Sequence, residues 1–348
     1  MSENSLSIKL NVILVSLIPL SLIIGPSISL LNIILIGLFF IFFYFSDKNL
    51  KLPLDKSLIA LILVYIYLLF NSIISLDHSL GIQRNAGFIR FILFFLAINY
   101  LFYINEKNIK IFNFWTIILS LFIFDVYFER INGTNILGWG GNYGNRIVSF
   151  FKDEPIVGAY LLGFNFIIVG YFFEKFYKQN IKFKLALFLI LFILVGCILI
   201  TGERSNGIKA VIGLMIFLFL NNKISLKIKI SIFLFSLVFT GLIISNSNYL
   251  KVRYGQQLFS QLFDSNQRDQ FIENNLYLKL YKSGFAVFKD NPIFGVGNKN
   301  YRVITTKNIE TKINDDYVLN THPHQIYIEL LSEHGLVGTI ILLSIFFY

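Results

Sequence analysis

The feature that most constrains this chain is a succession of long apolar runs, each about as long as a bilayer is thick. A spanning helix needs about 20 mostly apolar residues. Runs near that length lie at about 9–25, 27–45, 57–75, 88–104, 111–128, 155–173, 185–201, 207–221 and 229–246, and a tenth begins near Gln325. Only 14% of the residues are charged, against about 25% in a soluble domain. So much apolar surface cannot be hidden inside a water-soluble particle of 348 residues, so the solvent is lipid. The expected fold class is an all-α polytopic membrane protein with about ten transmembrane helices. Helices 1–9 fall within residues 1–246, one long connection spans 247–324, and a further helix starts in 325–348. The first run is followed by Gly25-Pro26 and at once by the second, which reads as a hairpin of spanning helices and not as a cleavable leader. The last run offers about fourteen apolar residues from Gly335 to Tyr348. A helix ending in hydrocarbon would leave carbonyls unpaired, so the chain is expected to be truncated at its C-terminus.

Charge sets the orientation. The net charge of +10 would suggest nucleic acid in a soluble protein. Here lysines gather in the loops at about 46–56, 105–110, 174–184 and 221–229, which the positive-inside rule places in the cytoplasm together with the N-terminus. The connection 247–324 then faces out. The eight arginines, Arg84, Arg90, Arg130, Arg146, Arg204, Arg253, Arg268 and Arg302, fall instead on outer loops or beside outer helix ends, as do His78, His322, His324 and His334. Lysine suffices to hold a loop against anionic lipid, whereas the planar fork of arginine matches phosphate oxygens. Drift in a lysine-biased composition would also scatter arginines this way; the functional reading is a phosphate or diphosphate held at the outer face. The lone cysteine, Cys197, permits no intrachain disulfide or Cys-based metal site. No acidic cluster accompanies His322 and His324, so neither a metal nor a cofactor is expected.

Three local motifs stand out. In Thr321-His322-Pro323-His324-Gln325, Pro323 suits the first turn of a helix. On a helix beginning there, His324, Ile328, Leu331, Gly335 and Gly338 share one face, and the two glycines let another helix approach closely. His324 is then either a capping residue or an imidazole able to take a proton from a sugar hydroxyl. In Thr201-Gly202-Glu203-Arg204, Glu203 either neutralises Arg204 or leaves it free to hold a phosphate. The loop Gly138–Arg146 is glycine-rich but has no Gly-Lys-Ser/Thr ending, so it is not a nucleotide-binding loop, and Arg146 is a candidate substrate contact. Within 247–324, Leu276, Tyr277, Leu280, Tyr281, Gly284, Phe285 and Phe288 recur with helical period up to Asp290-Asn291-Pro292, predicting an amphipathic helix. Ile293-Phe294-Gly295-Val296-Gly297 then reads as a tight turn.

Asn291-Pro292-Ile293-Phe294-Gly295-Val296-Gly297, followed later by His324-Gln325, nine residues, Gly335, two more and Gly338, resembles the motif of the O-antigen ligase/polymerase superfamily of bacterial membrane proteins. Thr201-Gly202-Glu203-Arg204 is similar to that family's Thr-Gly-x-Arg step. The specific motifs occupy about 191–210 and 276–348, within a ligase/polymerase-like region at 185–348. The resemblance implies metal-independent transfer of an undecaprenyl-diphosphate-linked glycan to an acceptor hydroxyl on the periplasmic face of the bacterial inner membrane. It implies His324 as the catalytic histidine and Arg204 as a diphosphate contact, with Arg146, Arg268, Arg84 and His322 as further substrate contacts. One departure is that Tyr277 stands where members often carry an arginine early in the amphipathic helix, and Arg268 is the substitute expected. Ligases use lipid A-core as acceptor, polymerases another lipid-linked repeat and related enzymes a protein hydroxyl; ligase is the first reading. A transporter of lipid-linked sugar would also need outer arginines, but commonly shows inverted repeats and helices broken near the midplane.

Overall fold

A computed structural model describes residues 6–46, 55–105, 109–141, 145–152, 154–176, 181–257, 264 and 274–347. In chain order the helices are α1 (Leu6–Ser16), α2 (Ile18–Ile24), α3 (Pro26–Ser46), α4 (Lys56–Ile74), α5 (His78–Ala86), α6 (Ile89–Ile104), α7 (Ile111–Asn132), α8 (Val157–Phe176), α9 (Ile181–Ile200), α10 (Arg204–Leu220), α11 (Leu226–Ser245), α12 (Leu276–Asp290), α13 (Tyr301–Thr311) and α14 (Ile326–Ser344). A π-turn at Lys251–Gln256 follows α11. The protein is all-α and polytopic. Among the described residues, seven helices are long and apolar enough to cross a membrane, or eight if α1 and α2, bent by 54°, count as one span. Pro19 lies in the first turn of α2 and has no N–H to continue α1, which accounts for that break. The expectation of about ten spans is not reached by this measure. The runs at 185–201 and 207–221 do form helices, but α10 has only 17 residues.

The helices wear their apolar side outward. On α4, Ile59, Leu63, Ile66, Phe70 and Ile73 are exposed, while the buried face carries Tyr67, Asn71 and Ser72 beside Val64 and Leu68. A helix in water would invert that arrangement; lipid as solvent explains it.

The chain divides into two compact units. The first consists chiefly of Lys9–Asn32 and the described chain from Leu101 to 257, and the second of Ile33–Tyr100 and 274–347. The first is centred on α8, α9, α10 and α11, with Val169, Phe173, Leu191, Leu194, Leu199, Leu214 and Leu218 in its core. The second adds to its apolar helices a small core of Ala286, Val287, Val296, Tyr301, Ile304 and Tyr317. The amphipathic helix predicted from Leu276 is α12. Asn275 caps it by accepting from Tyr277 N at 2.8 Å and Leu278 N at 3.3 Å, and it ends at Asp290, ahead of Pro292.

Candidate active-site elements

In the first unit, buried carboxylates shape a loop that presents arginine. Asp125 and Glu129 lie on the buried face of α7. Glu129 accepts from Val148 N at 3.1 Å and Ser149 N at 2.6 Å; Asp125 accepts from Ile136 N at 2.9 Å and from Ser149 Oγ at 2.5 Å. These bonds fix the 3-10 turn at Ser149–Phe151, and Ile147 N donates to Thr201 O at 3.2 Å. Arg146 is thereby held beside the Thr201–Arg204 step.

That step resolves the choice left open for Glu203. Its carboxylate accepts from Gly158 N at 2.5 Å and Asn206 Nδ2 at 2.6 Å and also takes the Ala159 N–H. It therefore caps the N-terminus of α8, where four backbone N–H groups lack helical partners, and forms no ion pair with Arg204. Burial pushes the Glu203 carboxyl up, against these bonds and the nearby charge of Arg146. Gly202, at φ +78°, leaves room for the Tyr249 ring. Tyr254 of the π-turn donates to Leu199 O at 3.3 Å, and Arg253 Nε donates to Gly202 O at 3.3 Å. Arg146 and Arg253 both lie near enough to act on the charge of Arg204. The three arginines have no carboxylate partner among the described residues, and Nη1 of Arg204 is buried without a hydrogen-bond acceptor. Arg130 bonds Ser247 Oγ and, at 3.4 Å, Asn145 O. Guanidiniums gathered in this way carry the donors that could hold an anion.

In the second unit, the glycine turn after α12 does more than reverse the chain. α14 is broken at Gly335, whose φ of 63° and ψ of −168° are not helical. The turn fills the break: Val296 N donates to Ser332 O at 3.0 Å, Gly297 N to Glu333 O at 2.9 Å, Leu336 N to Pro292 O at 2.8 Å and Val337 N to Ile293 O at 3.1 Å. A side chain at Gly295 would meet the Glu333 carbonyl, and one at Gly335 the carbonyl of Ile293. Side-chain amides lock the turn to α4 and α5. Asn71 Oδ1 accepts from Asn298 N at 2.9 Å, Asn298 Nδ2 donates to Asn85 Oδ1, and Asn300 Oδ1 accepts from Asp77 N at 2.6 Å.

This arrangement corrects the helical reading of the histidine motif. α14 begins at Ile326, not at Pro323; Gln325 caps it by accepting from Ile328 N at 2.7 Å. His324 lies outside the helix in a left-handed conformation, φ 60°. It does not share a continuous helical face with Gly335 and Gly338, and Gly335 belongs to a break instead of a smooth strip. Gly338 does permit close approach, for its missing side chain makes room for the Tyr67 hydroxyl of α4. Pro323 is buried against Gly284 of α12. That contact leaves His324 exposed, its ring 4.0 Å from that of His322 and edge-on to Tyr277 at 5.6 Å. His322 Nδ1 bonds Thr321 Oγ1 at 2.9 Å. Burial first, and then His324, hold the His322 imidazole below its usual value. Tyr277 thus stands edge-on to His324. Arg268 lies outside the described residues. Arg84 is exposed in the last turn of α5. Sequence reasoning grouped Arg253 with the other arginines without singling it out, and missed Lys299; the left-handed Lys299 (φ 66°) had no local signal beyond the preceding Gly-x-Gly. His334 and Glu333, both buried, are structural: the His334 carbonyl accepts from Tyr67 Oη at 3.1 Å, and Glu333 takes the Tyr301 N–H at 3.4 Å.

Compared with known families, residues 187–343 match the one described as O-antigen ligase. No curated protein sequence matches the chain.

Proposed function

From the premise that residues 187–343 form an O-antigen ligase family domain, we propose that this chain is a membrane glycosyltransferase acting on a diphosphate-linked glycan. The donor is an undecaprenyl-diphosphate-linked glycan, the acceptor a hydroxyl of lipid A-core or of another glycan. The work is done at the periplasmic face of the bacterial inner membrane. The observation that carries this reading is the gathering of Arg146, Arg204 and Arg253 around a buried, unpartnered guanidinium nitrogen. A diphosphate supplies the oxygens those donors lack. Segregation of arginines and histidines from the lysine-rich loops supports the assignment to the outer face.

In the proposed step an acceptor oxygen bonds to the anomeric carbon as the bond from that carbon to the diphosphate oxygen breaks. The hydroxyl proton passes to His324, which is exposed and carries no hydrogen bond among the described residues to occupy its ring nitrogens. Such a base contributes roughly 10²–10⁴-fold. The leaving diphosphate gains charge, which the arginines offset, so the step calls on no metal. His322 and Tyr277 orient the His324 ring, and Arg84 and Arg268 are further contacts to substrate. Ligase is preferred to polymerase because the matched family is described by that activity.

The test is binding of undecaprenyl diphosphate to the full-length protein in nanodiscs. Arg204→Gln removes a charge-assisted contact and is expected to weaken binding about tenfold or more, with Arg204→Lys recovering part of it. Equal affinity in wild type and Arg204→Gln would remove the diphosphate site from the proposal.

A further inference from the structure

The second unit holds a cavity of about 810 Å³ whose wall includes Leu80, Arg302, Lys307, Glu310, Asn320 and Thr321. It adjoins the histidine pair, since Thr321 on that wall bonds His322 at 2.9 Å. Further cations lie near enough to Arg302 to act on one another, at positions the backbone fixes. Asn298 is tied to Asn71 and Asn85, and Asn300 to Asp77. Lys299 is held between these anchors in a left-handed conformation. Arg302 follows in the first turn of α13, and Arg84 immediately precedes the anchor Asn85 on α5. None of Arg84, Lys299 and Arg302 forms an ion pair among the described residues, and the Nε of Arg302 is buried without a hydrogen-bond acceptor.

The neighbouring carboxylates do not meet this demand. Glu333 turns to the backbone N–H groups of Lys299 and Tyr301. Glu329 acts on Lys299 and His322 from a distance, and Glu310 is exposed on the wall. Burial, and then the charge of Arg84, push the Lys299 ammonium down, against the charges of Glu333 and Glu329.

We infer that this cavity receives the acceptor, and that the acceptor carries an anionic group, phosphate or carboxylate, bound by Arg302 with added charge from Lys299 and Arg84. The word acceptor rests on the transferase reading; the anion site does not. Isothermal titration of the full-length protein in detergent tests it with glucose 6-phosphate, glucuronate and glucose as probes. An Arg204→Gln background weakens the arginine cluster of the first unit. At least one charged sugar is expected to bind tenfold or more tighter than glucose, and which one does so tells phosphate from carboxylate. Adding Arg302→Gln is expected to weaken that binding about tenfold or more, and Arg302→Lys to retain most of it. Lys307→Gln, on the exposed wall, leaves the buried Nε undisturbed and is expected to weaken it severalfold. The inference is overturned if neither charged sugar binds better than glucose, or if Arg302→Gln binds as its parent does. Neither result depends on transfer or on affinity for the lipid donor, so failure here is distinct from failure of the proposed function.

Discussion

Glu203 and Arg204 are adjacent in sequence yet serve different masters. The carboxylate satisfies the orphan N–H groups of α8, so the guanidinium is left with Arg146 and Arg253 as charged neighbours. From sequence the two residues looked equally ready to neutralise each other, because the start of α8 lies far upstream. The histidines divide in a similar way. His334 is buried against Tyr67, whereas His324 is exposed, tilted against His322 and edge-on to Tyr277. His322 gives a pH prediction. Its folded value lies below the ordinary imidazole value, so protons favour the unfolded chain. The stability tied to its neutral form is complete above an unfolded pKa of about 6.5 and is lost as pH falls through the folded value. Melting temperatures in detergent should fall between pH 7.5 and pH 5 by more in wild type than in His322→Gln. A parallel fall in both proteins would show that His322 does not carry this linkage.

At the level of elements, α12 was legible because helical period and a following proline agree over Leu276–Asp290. α14 was legible as a helix but not in its anatomy. Its apolar pattern runs straight through Gly335, and nothing local announces that Pro292–Gly297 supplies the hydrogen bonds of the break. Likewise, Pro323 is a plausible first-turn residue, and only its contact with Gly284 shows why the helix starts later, after a left-handed His324. Gly295 and Gly335 therefore act through close backbone approach at the break. Gly335→Ala is expected to destabilise the protein by about 1–3 kcal/mol through its left-handed conformation alone, and further through contact with the Ile293 carbonyl. Gly241→Ala meets nothing within 4 Å in the interior of α11, and should be neutral or stabilising by up to about 1 kcal/mol. Thermal unfolding of both variants checks this contrast; equal melting temperatures would contradict the role given to the break.

For the whole molecule, the class of fold was legible because lipid leaves few choices: every backbone group must be satisfied within helices, and apolar length marks them. The number of spans was less so, since apolar runs do not distinguish the bent α1–α2 pair or the 17-residue α10 from full crossings. The division of the polar chemistry was also hidden. Arg146, Arg204 and Arg253 assemble in one compact unit around Thr201–Arg204 and the π-turn, and His324 meets Tyr277 in the other, by contacts between segments far apart in sequence. The claim that joins these observations is that the chain attaches a lipid-linked glycan to an acceptor. Its most direct test is deletion in the host, complementation with full-length wild type or His324→Ala, and a gel of surface polysaccharide. Loss of all attached glycan is expected on deletion, with recovery by wild type and none by His324→Ala found at normal level in the membrane. A gel unchanged by the deletion, or restored equally by His324→Ala, would contradict it.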